Sequence, residues 1–365
     1  MSEQPDEAEL ERLGLYDPKA EDAEDRLRLL VLLFDVGATV DEVVEADRTL
    51  RLTDLALDLA MRPAGKTEDL ESFVATSDLD PDLLRQLWSA FGLPSSGPVR
   101  VTPDAASALR LLVGMAAWFK PENALAVARV MGSASTRLAE TLISAFRVEI
   151  ELPALASGAS ASGKLDAVIA AGRDLIPLFV EANNAVFRRH MALASYQLWS
   201  PDEERAAVTH ERTVGFADMV GSTEAVRASS PAALAVTIRE FEQLVWDLVT
   251  KADGRVVKLI GDEAMFVIED PARACDVALA LVEASPQPVR VGLAHGTVVA
   301  LYGDYYGETV NLAARLVAAA TEPSTVAVSD SVRQRAGDSF AFAALPERSL
   351  KGFGDPVVFH RASRR

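Results

Sequence analysis

Residues 255–268 read RVVKLIGDEAMFVI, and the fold of the second half of the chain is predicted most directly from them. Two apolar runs, Arg255–Ile260 and Ala264–Ile268, flank the Gly-Asp-Glu triplet at residues 261–263. Short apolar runs that meet at a glycine-containing turn are typical of a β-hairpin. The stretch therefore predicts two neighbouring strands with Asp262 at the tip between them.

Further apolar runs lie on both sides of this hairpin and alternate with segments of helical periodicity. They are Thr213–Ala217, Val289–Ala294 and Thr325–Val328. The order strand, helix, hairpin, helix, strand, followed by further helix and strand, is typical of an α+β sandwich with a ferredoxin-like βαββαβ core. We therefore predict an α/β domain of this kind over residues 212–365.

The first half of the chain has a different pattern. Apolar residues recur at three- and four-residue spacing, which predicts amphipathic helices, and a long helical stretch follows from residue 165 to 199. We predict a flexible acidic N-terminus at 1–24, an all-α domain at 25–199 and a linker at 200–211. The clearest helical segments are Leu27–Val36, Leu83–Phe91 and Ala105–Phe119.

Charge argues against a nucleic-acid partner. The net charge is −18, and residues 1–200 carry 19 basic and 31 acidic residues, a balance of −12 that leaves −6 for the remainder. Neither half has the basic surface that phosphate backbones attract.

Cysteine content and hydropathy indicate the compartment. The single cysteine, Cys275, excludes an intrachain disulfide and favours a reducing, cytoplasmic location. The acidic first 20 residues do not resemble a signal peptide. The most apolar stretches, Leu29–Val40 and Leu109–Phe119, are too short for a membrane span, so we expect none.

Two aspartates occupy positions suited to metal chemistry. The run VGFADMVGST at residues 214–223 places Asp218 at the end of an apolar strand, before small residues and a helix. A carboxylate there can bind a hard cation, although a helix N-cap has the same pattern. Asp262 at the hairpin tip is also typical of a simple turn. If the strands are neighbours, the two carboxylates can share a two-metal site.

A polar edge follows on a later helix. Residues 303–315 read GDYYGETVNLAAR, in which Asn311 and Arg315 are four apart and so lie on one helix face. An amide and a guanidinium in this arrangement can bind a ribose and a polyphosphate, although a solvated helix face has the same pattern.

Together these segments, from about residue 205 to 365, closely resemble the catalytic domain of class III nucleotidyl cyclases. In that family two aspartates hold two Mg²⁺ or Mn²⁺ ions per site, and Asp218 and Asp262 match them. A lysine and an aspartate recognise adenine, and Lys258 and Asp304 match these. The pair implies ATP rather than GTP as the substrate.

The resemblance extends to the catalytic residues. The family's asparagine and arginine stabilise the transition state, and Asn311 and Arg315 match them, while Lys351 resembles a lysine that binds the terminal phosphates. The resemblance implies an adenylate cyclase that acts as a homodimer, because in the family the metal aspartates come from one subunit, and the adenine-recognising pair, the asparagine and the arginine come from the other. The helical half resembles the regulatory region that precedes some actinobacterial cyclase domains.

Two other functions compete with this interpretation. A nucleotide-binding sensor without turnover would retain the fold, but the complete set of matching residues argues against it. A DNA-binding regulator is suggested by a helix-turn-helix pattern at residues 66–94. Between Thr67 and Pro94, however, one basic residue stands against six acidic ones, which disfavours DNA binding.

Overall fold

The protein divides into two compact units, Met1–Gln197 and Leu198–Arg365. This computed structural model describes residues 5–62, 67–94, 100–115, 118–198, 209–221, 230–320 and 322–365. The proline- and glycine-containing segments around residues 63–66 and 95–99, most of the predicted linker, and Ser222 and Thr223 lie outside the described residues.

The regular elements described in the first unit are helices, as the sequence predicts, and one isolated β-bridge joins Glu68 and Val101. A π-helical turn, Arg147–Glu151, separates two of its helices. Polar caps begin several helices; at Thr39 a capping box forms with Glu42, which satisfies backbone N–H groups at both positions. The helices are α1 (Glu7–Arg12), α2 (Ala23–Asp35), α3 (Val40–Arg48), α4 (Leu52–Met61), α5 (Leu70–Thr76), α6 (Pro81–Ala90), α7 (Pro103–Met115), α8 (Pro121–Phe146), α9 (Leu152–Ala156) and α10 (Ala161–Leu198).

The acidic N-terminus differs from the flexible segment expected at 1–24. Asp6 caps α1 by accepting from the backbone N–H of Glu9 at 2.8 Å, and Leu10 and Leu15 are buried. Arg26 donates to the backbone oxygen of Leu15 at 2.8 Å. The described part of this segment is therefore anchored, because two buried leucines outweigh the surrounding solvated charge.

Two apolar clusters form the interior of the helical unit. One joins α1, α2 and α4 with the start of α10, and its members include Leu30, Leu33 and Ile169. The other joins α5, α6, α7 and α8 around Trp88 and Phe73. Because α5 and α6 bury their apolar faces in this second cluster, the predicted helix-turn-helix segment packs as ordinary helices.

The second unit is built on a single mixed sheet. Among the described residues it contains eight strands, in the order β2-β3-β1-β4-β6-β8-β7 with β5 paired to β4. The strands are β1 (Thr209–Met219), β2 (Arg255–Ile260), β3 (Glu263–Ile268), β4 (Val289–Leu301), β5 (Asp304–Tyr306), β6 (Val326–Ser329), β7 (Phe340–Ala344) and β8 (Phe359–Arg364).

Helices cover both faces of this sheet. Helices α11 (Pro231–Lys251) and α12 (Pro271–Ala284) pack on one face, and α13 (Glu308–Ala319) packs on the other. A short helix, α14 (Asp330–Arg335), follows β6. The order β1-α11-β2-β3-α12-β4 with antiparallel neighbours β2-β3-β1-β4 confirms the predicted ferredoxin-like βαββαβ core.

Several elements extend beyond their predicted limits. β1 begins at Thr209, inside the predicted linker, and β4 continues from the predicted end at Ala294 to Leu301. The two strands pair over their whole common length, so the ladder continues past the apolar run. In the helical unit α7 ends at Met115, short of the predicted Phe119. Within the described part of the chain, none of the helices has the length and apolarity that a membrane crossing requires.

Candidate active site

Three acidic residues lie at one end of the central strands. Asp218 stands next to the last residue of β1 and pairs in register with Glu263 at the start of β3. The backbone N–H of Met219 donates to the backbone oxygen of Asp262 at 3.1 Å. Gly261 makes the turn at φ +63°, a conformation that favours glycine. The hairpin therefore brings the backbone of Asp262 beside the end of β1, whereas a cation site shared by the two carboxylates stays a prediction.

The third carboxylate, that of Glu263, is influenced by the negative charges of the other two acidic residues. Burial, and then the charges of Asp218 and Asp262, raise the pKa of Glu263, while Lys258 acts in the opposite direction. A cation would relieve this repulsion, since carboxylates close together disfavour one another's ionised form. Sequence reasoning assigned Glu263 no role, because its pairing with Asp218 depends on the strand register.

Arg290 is a further residue that sequence reasoning missed. Its guanidinium lies 2.5 Å from the Asp218 carboxylate, and the two side chains are 25% and 18% exposed. The two residues are paired in register between β1 and β4. The available signal was a charged residue between the buried Val289 and Val291, since an arginine in a buried strand needs a partner.

Lys258 and Asp304 form a second, separate pair. The Lys258 ammonium donates to one carboxylate oxygen of Asp304 at 2.6 Å, and the backbone N–H of Tyr305 donates to the other at 2.8 Å. Both side chains are about one-third exposed, at 34% and 28%. In the sheet, β3 and β1 separate β2 from β4, so the β4–β5 hairpin must fold across the sheet face to bring Asp304 to Lys258.

The remaining predicted residues lie on other elements. Asn311 and Arg315 are exposed and share one face of α13. This helix lies directly against β4, because a Cβ built on Gly292 would stand 2.4 Å from the backbone oxygen of Ala313. Lys351 is exposed in the loop between β7 and β8, next to the buried Leu350.

The donor set at the strand ends fits a hard cation that is also bound by substrate. Among the described residues, no group of three or more His, Cys, Asp or Glu side chains is arranged to hold a metal ion alone. Carboxylate oxygens are nevertheless the ligands that Mg²⁺ prefers, and it is commonly bound by one or two carboxylates together with substrate phosphates. Asp218 and Asp262 would supply two such carboxylates, and the remaining ligands would come from the substrate.

Comparison of the sequence with known proteins identifies the family of the chain. The family model described as "Adenylate and Guanylate cyclase catalytic domain" matches residues 205–360. An uncharacterized protein of Mycobacterium tuberculosis is 35% identical over 360 residues, which are 96% of this chain and 92% of that protein. An adenylate cyclase of Streptomyces griseus is 31% identical over 294 residues, 77% of this chain and 73% of that enzyme. The crystal structure of the adenylyl cyclase CyaB from P. aeruginosa covers 43% of this chain and 96% of its own, with 22% identity and a TM-score of 0.40.

Proposed function

The chain belongs to the adenylate and guanylate cyclase catalytic domain family, and we propose that it converts ATP to 3′,5′-cyclic AMP and pyrophosphate. The observation that carries the choice of ATP is the contact at 2.6 Å between Lys258 and Asp304. A lysine and an aspartate together offer a donor and an acceptor to the edge of a base, and this pair matches the family's adenine-recognising residues. The relative from Streptomyces griseus, named adenylate cyclase, agrees with this choice.

We propose that Asp218 and Asp262 bind divalent cations, two Mg²⁺ or Mn²⁺ ions per site. The support is their adjacency at the strand ends and the clustered negative charge around Glu263. When bound, such cations lower the pKa of the ribose 3′-hydroxyl and neutralise charge on the leaving pyrophosphate.

The reaction is an intramolecular displacement. The ribose 3′-oxygen attacks the α-phosphorus, the bond from the α-phosphorus to the α,β-bridging oxygen breaks so that pyrophosphate leaves with that oxygen, and the 3′-hydroxyl proton passes to solvent. Arg315 donates to the phosphoryl oxygens as their charge rises, Asn311 orients the ribose, and Lys351 binds the terminal phosphates. No covalent bond to the protein forms. Because Arg315 acts mainly in the transition state, Arg315→Ala should lower kcat on the order of a hundredfold.

We further propose that the active enzyme is a homodimer with its sites at the subunit interface. Asn311 and Arg315 are exposed, so both are accessible to a second copy. In the family one subunit supplies the metal carboxylates, and the other supplies the asparagine and arginine. Mixing two inactive variants, Asp262→Ala and Arg315→Ala, should therefore restore about a quarter of the native activity through heterodimers with one intact site.

The helical half is proposed to be regulatory, with domains at 25–199 and 212–365 joined by a linker at 200–211. Its apolar clusters are formed by its own helices, and those of the catalytic unit by its own sheet and helices, so each half has a core of its own. The fragment 205–365 should therefore fold alone and differ from the full chain in specific activity. Equal activity of the two across pH and nucleotide concentration would contradict a regulatory role.

The decisive experiment measures cyclic nucleotide formation by the full chain with ATP or GTP and with Mg²⁺ or Mn²⁺. We expect cyclic AMP from ATP, little cyclic GMP from GTP, and no product from Asp262→Ala. Arg273→Met is a suitable control, since Arg273 forms an ion pair with Asp253 that involves none of the proposed site residues. ATP binding without product from either the full chain or the fragment would identify a nucleotide-binding sensor instead.

A further inference from the structure

A β-bulge places a second cation beside Lys258. Residues three apart on a regular strand point to opposite faces of the sheet. In β2, however, the pairing with β3 shifts between Val256 and Lys258, so that Arg255 lies opposite Val267 and Lys258 lies opposite Met265. Val267 and Met265 belong to the same apolar cluster, on one face of the sheet. The bulge therefore brings Arg255 and Lys258 onto that shared face.

Both cations contact the same hairpin turn. Arg255 donates to the backbone oxygen of Gly303 at 2.7 Å, and its guanidinium carbon lies 5.7 Å from the centre of the Tyr305 ring. Lys258 binds Asp304, the residue between these two. One arginine thus contacts the residue on each side of Asp304, once through a hydrogen bond and once through a cation–π contact.

The turn that precedes Asp304 is held by few interactions of its own, so contacts from outside the hairpin can stabilise it. Tyr302 and Gly303 connect β4 to β5, and both have positive φ, +52° and +81°. This is the conformation of a tight two-residue hairpin turn, which a tyrosine adopts only at a cost in free energy. β5 has only three residues, so few ladder hydrogen bonds hold the hairpin.

We propose that Arg255 is a positioning residue for purine recognition, which holds the β4–β5 turn so that Asp304 and Lys258 present a fixed donor and acceptor to the base of ATP. This inference rests on the proposed function. Arg255 acts through Asp304 and does not itself contact the base. A guanidinium suits this role, because one planar group can donate to the backbone oxygen of Gly303 and at the same time stack over the Tyr305 ring.

The test compares Arg255→Met and Arg255→Lys with the native full-length chain. Methionine keeps an aliphatic side chain but has no donor, whereas lysine keeps the charge and can donate to one acceptor. For Arg255→Met we expect the KM for ATP to rise about tenfold, as for the loss of one charge-assisted hydrogen bond. The kcat should change less than the KM, and the preference for ATP over GTP should fall by a similar factor. Arg255→Lys should recover part of both losses.

Arg273→Met is the matched control, since it removes an exposed arginine ion pair of the same unit, 2.5 Å long, whose partner Asp253 is not part of the β4–β5 turn. It should leave the KM and the nucleotide preference unchanged. Thermal melting of each variant shows that it is folded. Introducing Arg255→Met into the Asp304→Ala chain should raise the KM less than about twofold further, because the residue through which Arg255 acts is then absent.

The proposal is overturned if Arg255→Met keeps the native KM and nucleotide preference, or if it lowers kcat equally for ATP and GTP with KM unchanged. It is also overturned if its effect is undiminished in the Asp304→Ala chain. These outcomes differ from a failure of the proposed function, in which the native chain forms no cyclic AMP or Asp262→Ala forms as much as the native chain.

Discussion

The guanidinium of Arg290, on the second residue of β4, lies 2.5 Å from the carboxylate of Asp218 on the adjoining strand. Both side chains are largely buried, and the buried Nε of Arg290 has no hydrogen-bond partner among the described residues. Asp218 also lies near Glu263, so Arg290 offsets one carboxylate of this acidic group, while Lys258 acts on Glu263.

Removing that cation should destabilise the catalytic unit. We expect Arg290→Met to lower the free energy of unfolding by about 1–3 kcal/mol, because it leaves a mostly buried carboxylate without its partner. Urea unfolding followed by circular dichroism measures the loss. In the Asp218→Asn chain the same substitution should cost less, since the uncompensated charge is gone. Strictly additive losses would show that the two residues are not energetically coupled.

The packing of α13 on β4 should be sensitive to a single methyl group. A Cβ at Gly292 would lie 2.4 Å from the backbone oxygen of Ala313 and 2.5 Å from the backbone nitrogen of Val317. Gly292→Ala should therefore displace α13, reduce stability by about 1–3 kcal/mol and lower cyclase activity. Gly114→Ala is the control, because its added Cβ meets nothing within 4 Å. Native activity in Gly292→Ala would contradict this packing.

Stability should fall at acidic pH through His295. Its side chain is 7% exposed, and burial, followed by the charge of Arg335, lowers its pKa, with Glu211 opposing. The folded state therefore favours the neutral ring, while the unfolded chain takes up a proton below about pH 6.5. Unfolding is thus favoured as pH falls through that value, by at most about 1.4 kcal/mol per pH unit.

Replacing His295 tests this linkage. His295→Gln should flatten the dependence of unfolding free energy on pH between pH 7 and 5, measured by urea unfolding at each pH. Exposed His190→Gln is the comparison for the same substitution at a surface position. An identical slope in the native chain and in His295→Gln would show that other groups dominate acid destabilisation.

The thiol of Cys275 should be inert in the folded protein. Burial, and then the charges of Asp276 and Asp270, raise its pKa to about 12, so almost no thiolate exists at pH 8. Iodoacetamide should leave native protein unmodified at that pH and should alkylate it stoichiometrically in guanidinium chloride, as mass spectrometry would show. Rapid labelling of native protein would contradict a buried thiol.

Local sequence was enough to predict the hairpin of β2 and β3, the strand that carries Asp218 and the helix that carries Asn311 and Arg315. Strand alternation, turn glycines and helical spacing are patterns within a few consecutive residues, so each can be recognised from the sequence alone. The acidic N-terminus was misjudged, because the burial of Leu10 and Leu15 depends on distant helices. Charge alone favoured a flexible segment there.

Patterns within the sequence are sufficient to predict two differently built halves, the ferredoxin-like core and the residues that match the cyclase family. The ion pair of Arg290 with Asp218 and the hydrogen bond from Arg255 to Gly303 are seen only in the folded chain. Both contacts join residues far apart in the chain. They depend on strand register, on the bulge in β2 and on how the β4–β5 hairpin folds back, and no local pattern specifies these.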